Sequence, residues 1–185
     1  MVEEIKQIAM RIRDMREILD LTPEQVAAGA GMTLEEYQRC EEGTTDISFG
    51  VLYNIARVFG VDLTELMTGD VPKLSNVTLT RKDQGFRFNR NEAYGYQHLA
   101  YTFRNKKAEP FLVTVEAKPE KEHAEPNTHV GQEFDYLVEG RLVISVDGRE
   151  YTLEPGDSLY YDSSLPHAMW AKDCKYAKFL AIVMK

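Results

Sequence analysis

The second half of this chain is organised around residues 127–167, which read NTHVGQEFDYLVEGRLVISVDGREYTLEPGDSLYYDSSLPH. Apolar and polar residues alternate over 133–138 and again over 141–146, and Asp147-Gly148 follows the second run. Such alternation is typical of strands with one buried face, and Asp-Gly favours a tight hairpin turn. The stretch therefore predicts an antiparallel β structure.

The same pattern continues on both sides of this stretch. Short runs bounded by Gly, Pro and Asp extend from about residue 76 to near the end of the chain. Eight or so short strands with little helix favour an antiparallel sandwich or barrel. The predicted strands are 76–80, 94–101, 111–116, 133–138, 141–146, 150–153, 158–161 and 177–184.

The first 70 residues have a helical pattern instead. Thr22-Pro23 and Gln25 are typical of a helix start with a capping box, and Thr33 with Glu36 repeats that signal. Small residues at 29–31 permit a tight turn between these two helices. The pattern predicts five helices: one over about 3–19 with Ile5, Ile8, Met15, Ile18 and Leu19 on its apolar face, and four beginning after Thr22, Thr33, Ser48 and Asp62 or Leu63.

Turn residues at 68–72 mark the boundary between the two patterns. We therefore expect an α+β protein with two domains, a five-helix bundle over 1–70 and an antiparallel β-barrel over 71–185.

Composition limits the classes of function. The net charge is −8, and residues 1–69 carry 6 Lys and Arg against 13 Asp and Glu, a net of −7. That excess is unfavourable for DNA binding, which draws its general affinity from cations. No apolar run is long enough to span a membrane and no signal peptide is visible, so we expect a cytoplasmic protein without membrane contact. Cys40 and Cys174 fit no metal spacing and are expected to be reduced thiols.

Residues 8–67 resemble the lambda-repressor/Cro-like family of helix-turn-helix domains, also called the xenobiotic-response-element family. The resemblance is carried by Leu21-Thr22, Val26-Ala27, Gly31-Met32-Thr33, Tyr37, Glu41-x-Gly43, the run 52–61 and Leu66. It implies double-stranded DNA as a partner, with the third helix in the major groove. The alternative is a retained scaffold that packs or dimerises. The positions that face bases or phosphates in the family are Thr33, Leu34, Glu35, Gln38 and Arg39.

Residues 127–167 resemble the two motifs of the cupin family, whose fold is a double-stranded β-helix. The first motif is Asn127-x-His129-x3-Glu133-x6-Gly140, and the second is Pro155-Gly156-Asp157 followed by Leu165-Pro166-His167. The resemblance implies a metal site of His129, Glu133 and His167, a facial triad suited to Fe(II), with Zn, Mn or Ni as alternatives. In some sensor cupins, however, these residues persist without a metal.

Further candidates for the ligand pocket follow from the cupin resemblance. Asn127 stands where many cupins have another histidine, and Asp135 shares a strand face with Glu133. His98 and His123 match no motif. The remaining pocket candidates are Tyr96, Arg104, Met169 and Trp170.

Two functions compete. The first is a ligand-responsive transcriptional regulator, which acts as a homodimer and binds a small-molecule effector in its cupin sensor domain. The second is an enzyme, because the head-plus-barrel architecture and the motifs around His129, Glu133 and His167 also resemble mononuclear iron hydroxypropylphosphonate epoxidases. A third, non-catalytic role would be assembly with a metabolic enzyme. We favour the regulator.

Overall fold

The computed structural model describes residues 2–70, 74–91, 94–117 and 126–184. It divides the chain into two compact units. One contains residues 1–77 together with 102–105, and the other contains 78–101 and 106–185. The domain boundary expected near residue 70 stays a prediction, and His123 lies outside the described residues.

The first unit is helical, and all five expected helices are present. Capping boxes at Thr22 and Thr33 begin α2 and α3, and the left-handed Gly31 (φ 70°) ends α2 and turns the chain toward α3. Glycine suits this position because a Cβ destabilises the left-handed conformation. The helices are α1 (Val2–Ile18), α2 (Pro23–Ala30), α3 (Leu34–Glu42), α4 (Phe49–Phe59) and α5 (Leu63–Thr68).

The apolar face of α1 differs from the expected one. Ile18 is 76% exposed and Leu19 is 41% exposed, whereas Ile12 is fully buried. Ile12 lies one helical turn beyond Ile8, which is also buried, so the buried stripe follows Ile8 and Ile12. The expected amphipathic helix is present, but the buried stripe does not extend as far as Ile18 and Leu19.

The second unit consists of nine described strands in two antiparallel sheets. The larger sheet has the order β1-β2-β3-β9-β4-β7 and the smaller one β6-β5-β8. The strands are β1 (Phe86–Asn91), β2 (Tyr94–His98), β3 (Ala108–Glu116), β4 (Gln132–Glu139), β5 (Leu142–Val146), β6 (Arg149–Leu153), β7 (Ser158–Asp162), β8 (His167–Ala171) and β9 (Tyr176–Met184).

Two features of this unit correct the expectation. Within the described residues the strands do not close into one hydrogen-bonded barrel, because the chain passes alternately between two sheets joined only by single bridges such as Ala117–Ala171. Residues 76–80 form no strand, whereas β1 and β8 were not predicted. β8 reads His-Ala-Met-Trp-Ala, in which four of the five residues are apolar, so its sequence shows no clear polar and apolar period.

The inward faces of the two sheets form the core. On β9, every second residue from Ala177 to Val183 is buried, and Leu137 on β4 is fully buried between the sheets. The same alternation on β4 turns Glu133 and Asp135 inward. The functional side chains therefore lie within an otherwise apolar interior. Among the described helices, none combines the length and apolar character needed to cross a bilayer.

Candidate metal centre and DNA-reading helix

Backbone pairing between two loops brings the expected metal ligands together. Asn127 and His167 exchange two backbone hydrogen bonds of 2.7 and 3.0 Å, and the amide of His129 donates to the carbonyl of Ser163 at 2.9 Å. The segment before β4 is thereby held against the segment before β8. The pairing of Asn127 with His167 joins residues forty positions apart in the chain, and it places both histidines near the start of β4.

His129, Glu133 and His167 form one buried cluster. The Glu133 Oε2 atom lies 2.9 Å from Nε2 of His129 and 3.9 Å from Nε2 of His167. The three ligand atoms all lie within 4.8 Å of one another, and each residue is at most 5% exposed. The two imidazole rings stand nearly perpendicular, with their centroids 5.1 Å apart.

The tautomer of His167 follows from its hydrogen bond. Its Nδ1 atom lies 2.9 Å from the carbonyl oxygen of Leu165, which only accepts, so Nδ1 carries the proton. The lone pair of Nε2 therefore points toward Glu133. Burial lowers the pKa of His167, and this effect exceeds the opposing charge of Glu133. The imidazole is thus neutral at pH 7, which is the form that binds a metal.

Glu133 remains ionised in this interior. Burial alone would raise the pKa of its carboxyl group, but the hydrogen bond from His129, followed by the electrostatic interactions with the neighbouring imidazoles, lowers it overall. His129 donates from Nε2 to the carboxylate, and a cation in the cluster would take the place of that proton. The cluster thus offers one anionic oxygen and two imidazole nitrogens.

Asp135 and Tyr161 form a second layer behind Glu133. Burial and the charge of Glu133 raise the pKa of Asp135 well above its usual value, and the Tyr161 hydroxyl donates to Asp135 Oδ2 at 3.2 Å. Tyr161 stands directly opposite Glu133 in the β4–β7 register. Tyr161 had no predicted role in the site, and only its place in the alternation of a short strand indicated an inward position.

The donor set fits a divalent metal ion. Adjacent ligands of one ion lie about 3 Å apart, because each bond to N or O is about 2.0–2.2 Å long. The distance from Glu133 to His129 already meets this value, and the other pairs reach it with small side-chain movements. The hydrogen bond from His167 to Leu165 is the kind of outer partner that orients a ligating imidazole.

The other expected pocket residues divide into two groups. Met169 is buried on β8 on the same side of the strand as His167, and Asn127 is half-buried and bonded to His167 through its backbone. Trp170 points to the opposite side of β8, and Tyr96 packs edge-on against Phe111. Arg104 is exposed in the segment 102–105, so it is no part of a buried cluster. Their contact with a ligand stays a prediction.

His98, which matched no motif, forms a separate buried pair. Its Nε2 atom lies 2.8 Å from Glu109 Oε2, and Lys106 Nζ lies 3.7 Å from the same oxygen. The backbone amide of Ala100 donates to His98 Nδ1, so Nε2 carries the proton and donates to Glu109. This arrangement satisfies the imidazole at both nitrogens.

In the helical unit, α3 presents a polar surface. Glu35, Gln38 and Arg39 are exposed and lie on one side of the helix, and Leu34 is half-buried at its start. The Thr33 backbone N–H and hydroxyl both bond to Glu36 Oε2 at 2.7 Å in the capping box. Four of the five expected DNA-contacting residues are therefore exposed, namely Thr33, Glu35, Gln38 and Arg39. Of these, Gln38 and Arg39 carry the groups that can form bidentate hydrogen bonds to adenine and guanine edges.

Two of the four glutamates on α3 are engaged in internal contacts. Glu36 closes the capping box, and its pKa is lowered by the backbone hydrogen bond from Thr33. Glu41 accepts hydrogen bonds from Arg16 at 2.6 Å and from the hydroxyl of Tyr37 at 2.7 Å. The acidity of α3 is therefore partly structural, although Glu36 remains exposed together with Glu35 and Glu42.

Comparisons with known proteins agree with both units. Residues 12–66 match the family described as Helix-turn-helix, and residues 113–183 match the family described as Cupin domain. The HTH-type transcriptional regulator PuuR of Escherichia coli (strain K12) is 20% identical over 159 residues, which are 85% of this chain and 84% of PuuR. The PuuR of Shigella flexneri matches equally.

Two solved structures show the same fold over nearly the whole chain. An HTH_3 family transcriptional regulator from Vibrio cholerae superimposes with a TM-score of 0.70 at 20% identity, covering 100% of this chain and 98% of that one. Hydroxypropylphosphonic acid epoxidase from S. wedmorenis has a TM-score of 0.53 at 25% identity and covers 97% of both chains. The range that matches the helix-turn-helix family contains α2 and α3, and the range that matches the cupin family contains all three candidate ligands. The chain therefore contains a helix-turn-helix domain over residues 12–66 and a cupin domain over residues 113–183.

Proposed function

We propose that this chain is a sequence-specific DNA-binding transcriptional regulator whose cupin domain binds a small-molecule effector. The observation that carries the proposal is α3, a capped helix after a tight turn that exposes Gln38 and Arg39 while Tyr37 and Cys40 anchor its other face. The relatives named as transcriptional regulators combine the same two domains over most of their length. We place this function in the cytoplasm, where the DNA of such a regulator lies.

The chemistry of α3 suggests what it reads. Glutamine bonds adenine edges, and arginine bonds guanine edges, each contact being worth about 1–3 kcal/mol of discrimination. Residues 1–69 have only 6 Lys and Arg, so phosphate contacts contribute little to affinity. Specific base contacts therefore carry an unusually large share of the binding free energy in this proposal.

The cupin domain would sense its effector through His129, Glu133 and His167. These residues would hold Fe, Zn, Mn or Ni, since ligand identity selects weakly among these ions. A bound divalent ion with three protein ligands keeps coordination positions open for an oxygen or nitrogen donor of the effector. Met169 and Asn127 lie beside the triad and would contact the rest of the effector. Binding controls transcription only if the effector prefers one DNA-binding state of a homodimer.

Fluorescence anisotropy with a labelled fragment of the upstream region of the gene tests the DNA-binding part. We expect specific binding at ~50 mM salt and weaker binding at ~200 mM. Gln38→Ala and Arg39→Ala should each weaken specific binding about tenfold, because each removes a base-edge contact. Arg57→Ala is the matched control, because Arg57 is exposed in the last turn of α4 and its substitution removes the same charge as Arg39→Ala does.

Absence of a specific complex at low salt contradicts the proposal. Equal losses of DNA affinity in Arg39→Ala and Arg57→Ala would also contradict the role of α3. They would show that Arg39 contributes only its positive charge and no contact with a base.

A second candidate function is oxidation by a mononuclear iron enzyme. The complete buried triad favours it, and so does the 25% identity with the epoxidase, whose FeII form superimposes with a TM-score of 0.54. In this function the triad would hold iron, and the buried second layer of Asp135 and Tyr161 would keep Glu133 in its anionic form. Iron would supply the activation of an oxidant.

Metal analysis of protein purified without chelator tests the enzyme candidate. An enzyme should retain or take up Fe(II) and give the spectrum of a ferrous nitrosyl adduct with nitric oxide. His129→Ala should abolish that spectrum, whereas His98→Ala changes a buried histidine outside the triad and should leave it unchanged. Protein that binds its operator but has no affinity for Fe(II) excludes the enzyme.

A further inference from the structure

A hollow of about 250 Å³ lies on the outward side of the larger sheet, where β1, β2, β3 and β9 run side by side. The metal triad lies on the other side of this sheet, because Glu133 points inward from β4. The volume is slightly below the range of about 300–1,000 Å³ for drug-sized ligands, so the hollow suits a small molecule. We call it the outer hollow; the polar residues and the glycine that line it are Asp83, Arg87, Gly95, Gln97, Thr114 and Lys178.

Strand register explains why these residues share one face. Gln97 of β2 pairs with Arg87 of β1, and Thr114 of β3 pairs with Lys178 of β9. Val113, the neighbour of Thr114 on β3, is buried inward, so Thr114 faces outward, and Gln97 shares this face through the β2–β3 register. β1 and β9 are three strand spacings apart, or about 14 Å, which the long side chains of Arg87 and Lys178 can bridge from both sides.

The amide group of Gln97 is the feature of the outer hollow that indicates a ligand. Gln97 is only 9% exposed, yet no described residue accepts a hydrogen bond from its Nε2 atom. Gly85 packs closely over this side chain, since a Cβ there would lie 2.6 Å from Gln97 Cγ. A buried donor without an acceptor is destabilising, so such groups normally have a partner. The amide therefore offers N–H groups to an acceptor in the hollow that it lines.

The charges of the lining favour an anion as that acceptor. Arg87 and Lys178 contribute two positive charges and Asp83 one negative charge, a net of +1 in a chain whose net charge is −8. Asp83 Oδ1 lies 3.5 Å from Arg87 Nη2, and Glu139 Oε2 lies 4.0 Å from Lys178 Nζ. Both carboxylates are more than half exposed, and each cation has further N–H groups for another acceptor.

The remaining wall of the outer hollow is apolar or open. Leu112 lines it as a half-buried side chain. Gly95 pairs with Thr114 and has no side chain, so the sheet surface is open at this point. A ligand that fits this wall has a short apolar part beside its charged group.

We propose that the outer hollow binds the carboxylate of a small organic acid. Gln97 Nε2 and Lys178 Nζ donate to the carboxylate oxygens, and the apolar part of the acid lies against Leu112. Hydrogen bonds of an ammonium group to a carboxylate are stronger than neutral ones. This site goes beyond the proposed function, because it needs neither the metal triad nor the DNA-reading helix.

Titration of the ¹⁵N-labelled full chain with sodium butanoate, followed by NMR, is the test. The readout is the pair of side-chain NH2 signals of Gln97, which are identified by their loss in Gln97→Met. We expect them to move saturably with a Kd on the order of 1 mM. Gln97→Met should keep or raise the melting temperature, since it removes a buried donor without an acceptor. A purely structural Gln97 would instead lower it.

Lys178→Met should weaken butanoate binding about tenfold, because a hydrogen bond to a charged group contributes about that much. Lys172→Met is the matched control: it removes the same charge from an exposed position outside the hollow and should bind as the wild type does. His167→Ala alters the triad and should leave the movement of the Gln97 signals unchanged. Failure of metal or DNA binding therefore leaves this measurement unaffected.

Gln97 signals that stay in place at roughly 50 mM butanoate, far above the expected Kd, overturn the proposal. Equal movement with sodium chloride or with inorganic phosphate also overturns it, because the hollow would then hold any anion. The same holds for a folded Lys178→Met variant with wild-type affinity. Far-UV circular dichroism checks the fold, and Lys178→Gln, which retains a polar end, replaces Lys178→Met if that variant does not fold.

Discussion

Asp135 lies two residues beyond Glu133 on the inward face of β4, where its carboxyl group is fully buried. Its Oδ2 atom accepts a hydrogen bond from the Tyr161 hydroxyl. Because the pKa of Asp135 is raised, its carboxyl group can keep a proton and donate it in a hydrogen bond to the Glu133 carboxylate. Outer-layer partners of this kind hold a ligating carboxylate in one orientation. We therefore propose that Asp135 and Tyr161 position Glu133 within the triad.

We expect Asp135→Asn and Tyr161→Phe each to weaken divalent-metal binding about tenfold, because loss of an outer partner usually costs 10- to 100-fold. Competition with a chromogenic chelator measures this affinity. Asp147→Asn is the control, since it removes an exposed carboxylate in a turn, where asparagine tolerates the left-handed backbone. Unchanged metal affinity in both variants would show that Glu133 needs no such support.

The two cysteines should differ in reactivity. Burial raises the pKa of the Cys40 thiol to about 11, whereas Cys174 is only half-buried. Because the thiolate is the reactive form, Cys40 should react with a disulfide reagent at pH 8 only as the helical unit opens. We expect one fast and one slow thiol, and Cys174→Ser should remove the fast one. Equal rates for both thiols would contradict the burial of Cys40.

The same shift makes stability depend on pH. The folded Cys40 thiol keeps its proton up to its raised pKa of about 11, whereas the thiol of the unfolded chain loses it near its ordinary pKa of 9.0. Deprotonation between these values favours the unfolded chain, so this contribution is complete below pH 9 and is lost as the pH rises toward 11.

At the scale of an element, the turn from β4 into β5 depends on one glycine. Gly140 has a φ of 84°, and a Cβ there would lie 2.4 Å from the carbonyl oxygen of Tyr176 and 2.9 Å from Cα of Ala177. Both atoms belong to the backbone of β9, so neither can move away by a change of side-chain rotamer. Gly148, in the β5–β6 hairpin, has a φ of 76° but nothing within 4 Å of such a Cβ.

This pair gives a matched test of backbone crowding. Gly148→Ala should lower the free energy of unfolding by about 1–2 kcal/mol, the cost of a left-handed conformation. Gly140→Ala should cost clearly more, because the added methyl group also clashes with β9. Urea denaturation monitored by circular dichroism measures both values. Similar losses in the two variants would show that the β4–β5 turn relaxes away from β9.

Helix α3 shows how one element serves two purposes. Arg16 of α1 bonds the Glu41 carboxylate, which also accepts from Tyr37, so one side of α3 is fixed to the helical core. The other side is left to Glu35, Gln38 and Arg39. Internal anchoring of its acidic residues lets a helix of unfavourable charge present a specific polar surface.

At the scale of the whole molecule, the proposed regulator implies reciprocal coupling. If a metal ion at His129, Glu133 and His167 changes operator affinity by some factor, the operator must change metal affinity by the same factor. We expect a factor of about 5–150, typical of allosteric coupling. Operator titrations with metal-free and metal-loaded protein, and metal titrations with and without operator, measure it. Operator affinity independent of the metal would show that the triad does not transmit a signal.

The triad variant His167→Ala is the control for these titrations. This variant lacks the candidate ligand on β8. Its affinity for the operator should not change when metal is added, and should equal the affinity of the metal-free wild type. A metal effect that persists in this variant would assign the effect to another site.

The sequence by itself determined the five helices, because their signals are local: capping boxes at Thr22 and Thr33 and glycines after the last turns require only neighbouring residues. It also determined the identities of the three candidate ligands, since the cupin motifs contain them at characteristic spacing. Only the tertiary structure decided that the strands form two sheets, that Tyr161 stands opposite Glu133, and that Gln97 and Lys178 line one hollow. Those properties depend on the register between strands distant in the chain, and a shift of one residue would turn every side chain to the other face.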